Sequence, residues 1–118
     1  FIYVRTEPKA HGAGKQIEGM ILKKVPVVVI EDLISTGKSS LNAVEALQKN
    51  NIDVLGIFAI FSYGLEVAKI NFEKANQKFY SLSDFRTLVE CSKKHIGFSQ
   101  DDLEKVNNWK KSPTNWIV

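Results

Sequence analysis

The apolar positions of the chain predict strands and helices in alternation. A continuous apolar, β-branched run from Val25 to Ile30 is typical of a strand buried on both faces of a parallel sheet. Apolar residues then recur near helical spacing from Ser39 to Asn50, and a second apolar run extends from Val54 to Phe61. These three segments predict one βαβ unit, because parallel strands need a crossover connection between them.

Shorter elements are predicted on either side of this unit. Residues 1–4 are typical of a strand, and the polar, glycine-containing stretch 5–19 predicts a long mobile loop. The pattern further predicts a helix over 66–75, a short strand over 78–81, a helix over 84–94 and a last helix that begins at Ser99, with Asp102 completing its cap. We expect residues 1–118 to form a single α/β domain.

Composition narrows the class of protein. With 118 residues, the chain is about one small domain. Its net charge is +3, and its lysine pairs are scattered along the sequence without the basic stripe of a nucleic-acid-binding protein. The longest apolar run is far shorter than the ~20 residues of a membrane span, and no charged and then apolar leader opens the chain. We therefore expect a cytoplasmic protein. Cys91 is the single cysteine, which excludes an internal disulfide, and we expect it to serve packing.

Candidate chemistry concentrates where the first apolar run ends, at Glu31 and Asp32. Ligands of open α/β sheets bind outside the carboxyl ends of the strands. Adjacent carboxylates repel each other unless hydroxyls, a cation or a helix N-terminus use them, and ribose diols and a magnesium ion fit that need. The segment from Ser35 to Ser40 supplies hydroxyls, a glycine, a lysine and a helix N-terminus, which together indicate a phosphate-binding turn.

The same turn has two competing interpretations. Gly37, Lys38 and Ser39 match the second half of a P-loop, but the glycine required five residues before Gly37 is replaced by Asp32, so that interpretation fails. An ordinary strand-to-helix turn with capping serines is the structural alternative.

Residues 27–40 resemble the phosphoribosyl-diphosphate signature of type I phosphoribosyltransferases, which has an apolar strand, two acids, two apolar residues and a Thr/Ser-Gly loop. The resemblance implies an α/β fold with a parallel sheet flanked by helices. It also implies that Glu31 and Asp32 hold the ribose hydroxyls. The residues implied to bind the 5′-phosphate are Ser35, Thr36, Gly37, Lys38 and Ser39. Lys38 stands where the family usually has a small residue. Its side chain either adds positive charge to the phosphate site or points to solvent.

The stretch from Val4 to Gly12 resembles the mobile catalytic loop of the orotate phosphoribosyltransferase family. Its marker positions here are Arg5, Glu7, Lys9 and His11. Thr6 stands where that family usually has a second lysine. In the family, the loop closes over the diphosphate, and several of its basic residues reach into the neighbouring subunit. The resemblance therefore implies diphosphate contacts from Arg5, Lys9 and His11, and a homodimer with shared active sites.

The implied reaction transfers a phosphoribosyl group from 5-phosphoribosyl 1-diphosphate (PRPP) to orotate, which gives orotidine 5′-phosphate and pyrophosphate in pyrimidine synthesis. Cations placed at the departing diphosphate lower the barrier, so Lys9 is the first candidate catalytic residue, and Asp32 at the ribose is the second. Magnesium is the implied cofactor, held mainly through substrate oxygens and without a direct protein site.

The residues that recognise the base are less clearly marked. Ser35 and Tyr63 are candidate orotate contacts, and Tyr63 occupies a place where the family often has an arginine; simple packing is its alternative role. We expect His95 at the surface, Trp109 as an anchor of the last helix, and Trp116 docked on the core.

The resemblance covers only the later part of a family member, without the N-terminal hood segment over the base. A different acceptor base and a non-catalytic PRPP-binding regulator are the alternative functions. The basic residues of the loop favour the enzyme, because a pure binding module has little use for a mobile basic lid.

Overall fold

The computed structural model of the chain describes residues 1–5, 16–22 and 25–113. In these ranges the strands are β1 (Ile2–Val4), β2 (Ile17–Gly19), β3 (Val27–Ile34), β4 (Val54–Ser62) and β5 (Phe79–Asp84). The helices are α1 (Lys38–Lys49), α2 (Glu66–Lys74), α3 (Phe85–His95) and α4 (Gln100–Lys111).

The central layer is a parallel sheet of three strands in the order β3-β4-β5. α1 connects β3 to β4, and α2 connects β4 to β5, so both connections are the crossover helices that parallel strands require. β1 and β2 form a separate antiparallel pair. The predicted α/β architecture, a parallel sheet flanked by helices, is confirmed.

The hydrophobic core lies between one face of this sheet and the two crossover helices. Ile57 of β4 is fully buried, in one cluster with Val44 and Leu47 of α1 and with Ala68 and Phe72 of α2. Each helix places two residues in this cluster because side chains three or four positions apart lie on the same face of a helix.

The opposite face of the sheet is exposed along all three strands in the part of the chain that the structure describes. Its apolar residues are Val28, Ile30, Phe58, Ile60, Tyr80 and Leu82. The register pairs Ile30 with Phe58 and Phe58 with Tyr80, so these side chains form a continuous surface, and Ile30 is 71% exposed. The prediction that the run from Val25 to Ile30 is buried on both faces is therefore wrong for this chain, because no described helix covers these positions.

Several element boundaries also differ from the sequence predictions. β3 continues through the two acids to Ile34, because its pairing with β4 extends that far, and β5 likewise continues to Asp84. Residues 17–19, predicted as loop, form β2 because they pair with β1. The expectation that Cys91 serves packing is wrong, since it is exposed and the buried position of α3 is its neighbour Ser92.

Side-chain caps start the last two helices. Asp84 accepts a hydrogen bond from the Thr87 amide at 2.8 Å. Ser99 and Asp102 form a reciprocal capping box, which confirms the predicted start of the last helix. None of the helices within the described ranges combines the length and the apolarity needed to cross a membrane.

The cap of α3 makes stability depend on the charge of Asp84. The hydrogen bond from the Thr87 amide holds the pKa of the Asp84 carboxyl below its ordinary value. We expect Asp84→Ala to lower the free energy of unfolding near neutral pH by about 1 kcal/mol, the typical cost of a lost N-cap. Because the folded-state pKa is lowered, this contribution is complete above the unfolded-state pKa of about 3.9 and is lost as pH falls through the folded-state pKa.

Urea unfolding at neutral and at acidic pH measures both effects. Asp84→Asn separates them, since asparagine caps a helix about as well but does not titrate. Asp101→Ala is the matched control: it removes a first-turn acid of α4 whose ion pair with Lys105 is exposed and therefore contributes little to stability. Equal losses for Asp84→Ala and Asp101→Ala would contradict the capping role.

Candidate phosphate-binding site

The candidate site is built where two neighbouring parallel strands end. β3 ends at Ile34 and β4 at Ser62, and these two residues are partners in the register. The carbonyl of Ile34 accepts a hydrogen bond from the Tyr63 amide at 3.0 Å, so the segments that follow the two strands leave the sheet side by side. This edge is where ligands of open α/β sheets bind.

The segment after β3 turns at Gly37 into α1. Gly37 has a φ of 77°, a left-handed conformation that glycine adopts readily because it has no Cβ. The Leu41 amide donates to the Gly37 carbonyl at 3.0 Å, and the amides before Leu41 have no helical acceptor. No described side chain caps this end of α1. The helix therefore presents amide donors and the positive end of its dipole, which suits an anion.

The two acids lie inside β3 and point to opposite faces of the sheet, because successive side chains of a strand alternate. Glu31 is half-buried and is paired in the register with Ala59 of β4. Asp32 is exposed, and its Oδ1 accepts a hydrogen bond from the Leu33 amide at 2.7 Å. The carboxylates are therefore available to a ligand from two different sides of the strand.

A groove of about 550 Å³ is lined by β1, the segment that follows β2, β3 and α1. Most of its lining is apolar, but three of the predicted PRPP-binding residues share it: Arg5, Glu31 and Ser39. Nε of Arg5 donates to Oε1 of Glu18 at 2.9 Å. This hydrogen bond, together with the attraction of the carboxylate, raises the pKa of Arg5, and its guanidinium places a positive charge in the wall of the groove.

The other residues predicted to bind PRPP differ in exposure. Ser35, Lys38 and Ser39 are exposed, Thr36 is half-buried and Gly37 is buried. Lys9 and His11 lie outside the described residues, so their roles stay predictions.

Tyr63 lies in an aromatic cluster after β4. Its ring centroid is 5.1 Å from that of Trp109 and 5.9 Å from that of Phe61, both in edge-to-face geometry. Trp109 also contacts Phe85, which confirms its expected role as an anchor of the last helix. These contacts are those of a packing residue, and the orotate contact of Tyr63 stays a prediction. His95 is exposed as expected, and Trp116 lies outside the described residues.

Two residues of α2 that sequence reasoning missed support the turn. Nδ2 of Asn71 donates to the Thr36 carbonyl at 2.9 Å. A Cβ built on Gly37 would lie 2.7 Å from a ring atom of Phe72, so the turn rests directly on this ring. The available signal was weak: asparagine is a poor helix former, and here it precedes an apolar position of the helix.

Known proteins place the chain in a family, although no protein-family model matches it. The orotate phosphoribosyltransferase of Bacillus subtilis (strain 168) is 50% identical to it over 111 residues, which are 94% of this chain and 51% of that protein. The chain belongs to the orotate phosphoribosyltransferase family. It spans about half the length of the curated relatives that it matches.

Solved structures support the same grouping. UMP synthase of Leishmania donovani has a TM-score of 0.74 and 27% identity, over 93% of this chain and 23% of that chain. The orotate phosphoribosyltransferase of Mycobacterium tuberculosis H37Rv, in complex with 5-phospho-α-D-ribosyl 1-diphosphate, has a TM-score of 0.55 and 28% identity, over 60% of this chain and 42% of its own. The type I phosphoribosyltransferase-like fold implied by the sequence is thereby confirmed.

In this member of the orotate phosphoribosyltransferase family, we expect Gly37→Ala to lower the free energy of unfolding by about 3 kcal/mol. An alanine pays about 1–2 kcal/mol for the left-handed conformation. Its Cβ also meets the buried ring of Phe72, and overpacking of this kind costs about 1–3 kcal/mol. Urea unfolding measures the loss.

Gly97→Ala is the matched control. Gly97 has a similar φ of 74°, but nothing lies within 4 Å of its built Cβ, so only the conformational cost applies. Placing Gly37→Ala in a Phe72→Leu background should recover part of the overpacking cost, because the ring atoms that meet the Cβ are gone. Equal losses at Gly37 and Gly97 would show that Phe72 does not press on the turn.

Proposed function

We propose that the protein containing this chain transfers a phosphoribosyl group from PRPP to orotate, which gives orotidine 5′-phosphate and pyrophosphate in pyrimidine biosynthesis. One observation carries the proposal. Two carboxylates near the end of β3 are followed by Gly37 in a left-handed conformation and by the N-terminus of α1, which no described side chain caps. The identity with orotate phosphoribosyltransferases favours this reaction over other uses of the same turn.

The 5′-phosphate of PRPP binds at the start of α1 in this proposal. The amides of the first turn and the helix dipole favour an anion there. The hydroxyls of Ser35, Thr36 and Ser39 add donors. Lys38 is exposed in the first turn of the helix, where its charge adds to the attraction for a phosphate.

Glu31 and Asp32 accept hydrogen bonds from the ribose hydroxyls in this proposal, and magnesium has no direct protein site. Carboxylate oxygens accept hydrogen bonds from a diol, and oxygen ligands are those that Mg²⁺ prefers. The ion is held mainly by oxygens of the ribose and the diphosphate, as is common for Mg²⁺ with phosphate ligands. When bound, magnesium neutralises charge on the diphosphate.

Cations from the loop stabilise the departing diphosphate. As its bond to the anomeric carbon breaks, negative charge builds on the diphosphate and positive charge on the ribose ring. Arg5, Lys9 and His11 meet the negative charge, and Asp32 lies at the ribose; Lys9 and Asp32 are the proposed catalytic residues. Closure of the loop excludes water, which would otherwise hydrolyse the activated sugar.

Orotate is assigned to the space between the ends of β3 and β4, where Ser35 and Tyr63 follow the two strands. The protein is proposed to act in the cytoplasm as a homodimer with shared active sites, in which the basic loop of one subunit serves its neighbour.

Isothermal titration calorimetry of this chain tests the proposal. PRPP with magnesium is added first, and orotate is then added to the complex. We expect saturable binding of PRPP and a further heat on addition of orotate. Binding of PRPP with no response to orotate would point to another acceptor base, and failure to bind PRPP would contradict the proposal.

The ribose role of Asp32 gives a sharper test. We expect Asp32→Asn to weaken PRPP binding by about tenfold or more, because a carboxylate that accepts hydrogen bonds contributes about 1.5–3 kcal/mol. The matched control is Asp53→Asn, an exposed carboxylate before β4 at the opposite end of the sheet, which should bind as the parent does. Unchanged affinity of Asp32→Asn in the calorimeter would remove Asp32 from the site.

The loop assignment is tested in a complete enzyme. We expect Lys9→Ala to lower kcat about 100-fold, the usual effect of losing one preorganised electrostatic contact to the transition state. Steady-state assays of orotidine 5′-phosphate formation measure it, with Lys49→Ala on the exposed end of α1 as the control. Turnover that is unaffected by Lys9→Ala would mean that this lysine does not meet the diphosphate.

A further inference from the structure

Two neighbouring residues of α2, Asn71 and Phe72, make the contacts that fix the shape of the turn before α1. Nδ2 of Asn71 donates to the Thr36 carbonyl at 2.9 Å, across 35 positions of sequence. Phe72 is 2% exposed, and its ring lies under Gly37, where any Cβ would be within 2.8 Å of two ring atoms.

The support under Gly37 is rigid because Phe72 is packed into the core. The Phe72 ring stacks on Phe79 of β5, with centroids 4.6 Å apart and 27° between the ring planes. The same helix buries Ala68 in the core one turn earlier. A displacement of the Gly37 backbone toward α2 is therefore blocked by a close-packed interior.

The Asn71 hydrogen bond sets the direction of one peptide group. In a planar trans peptide, the carbonyl of Thr36 and the N–H of Gly37 point in opposite directions. Because Asn71 draws the carbonyl toward α2, the Gly37 N–H points away from α2. Glycine opposes rotation of this peptide group less than any other residue does, so an external contact is needed to select one orientation.

We propose that Asn71 and Phe72 are positioning residues that hold the Gly37 amide and the start of α1 in the orientation that receives the 5′-phosphate. This inference rests on the proposed function and adds to it a pair of residues that touch no substrate. Asn71 selects the orientation of the peptide group, and Phe72 sets the height of the turn above the core.

The test compares Asn71→Ala with Asn50→Ala in this chain. Nδ2 of Asn50 donates to the Ala46 carbonyl at 2.8 Å. The Asn50→Ala variant therefore loses the same kind of hydrogen bond as Asn71→Ala does, but at the end of α1 that is far from the turn. The probe is ribose 5-phosphate, with dissociation constants measured by calorimetry. Melting temperatures and the NMR position of the Gly37 amide are recorded for each ligand-free variant.

We expect the two variants to lose similar thermal stability, while only Asn71→Ala binds ribose 5-phosphate about tenfold more weakly and shifts the Gly37 amide. Phe72→Leu, which keeps the core apolar, should also weaken binding and provides a second variant if Asn71→Ala folds poorly. Affinity within twofold of the parent in either well-folded variant, or an equal loss in Asn50→Ala, would overturn the positioning role alone. A parent chain that does not bind ribose 5-phosphate would overturn the proposed phosphate site as well.

Discussion

The parallel alignment of β3 with β4 is the constraint on which the candidate site depends. It runs to the last residues of both strands, where Ile34 is paired with Ser62 and its carbonyl accepts the Tyr63 amide. This alignment brings the turn at Gly37 to the same edge as the segment after β4, and α2 then returns to support that turn. The geometry of the candidate phosphate-binding turn is thus set by strand pairing and helix packing.

Local patterns were enough to predict the order of the strands and helices from β3 onward and the residues of the strand-to-helix turn, but they missed β2. The turn was predictable because its hydroxyls, glycine and acids are contiguous in sequence, and each has a chemical reason to be there. Asn71 was not predictable, because its partner lies 35 positions away and a single asparagine in a helix is only a weak signal of such a contact. The role of Tyr63 was also left open by the sequence, since an aromatic ring after a strand suits both a ligand and a cluster such as that around Trp109.

The exposed face of the sheet shows where a hydrophobic pattern stops being informative. The run in β3 predicts apolar surroundings on both faces, but a pattern cannot tell which part of a protein provides them. In this chain α1 and α2 cover one face only, and Ile30, Phe58 and Tyr80 form a continuous apolar surface on the other. Asp32 belongs to the same exposed side of β3.

Mapping the amide NMR shifts of this chain on addition of PRPP and magnesium tests the central claim most directly. If the junction of β3 and α1 is the phosphoribosyl site, the largest shifts fall on residues 31–32 and 35–40, with smaller changes at Asn71 behind the turn. Saturable binding whose shifts instead cluster away from this junction, for example around Asp53 at the opposite end of the sheet, would contradict the account.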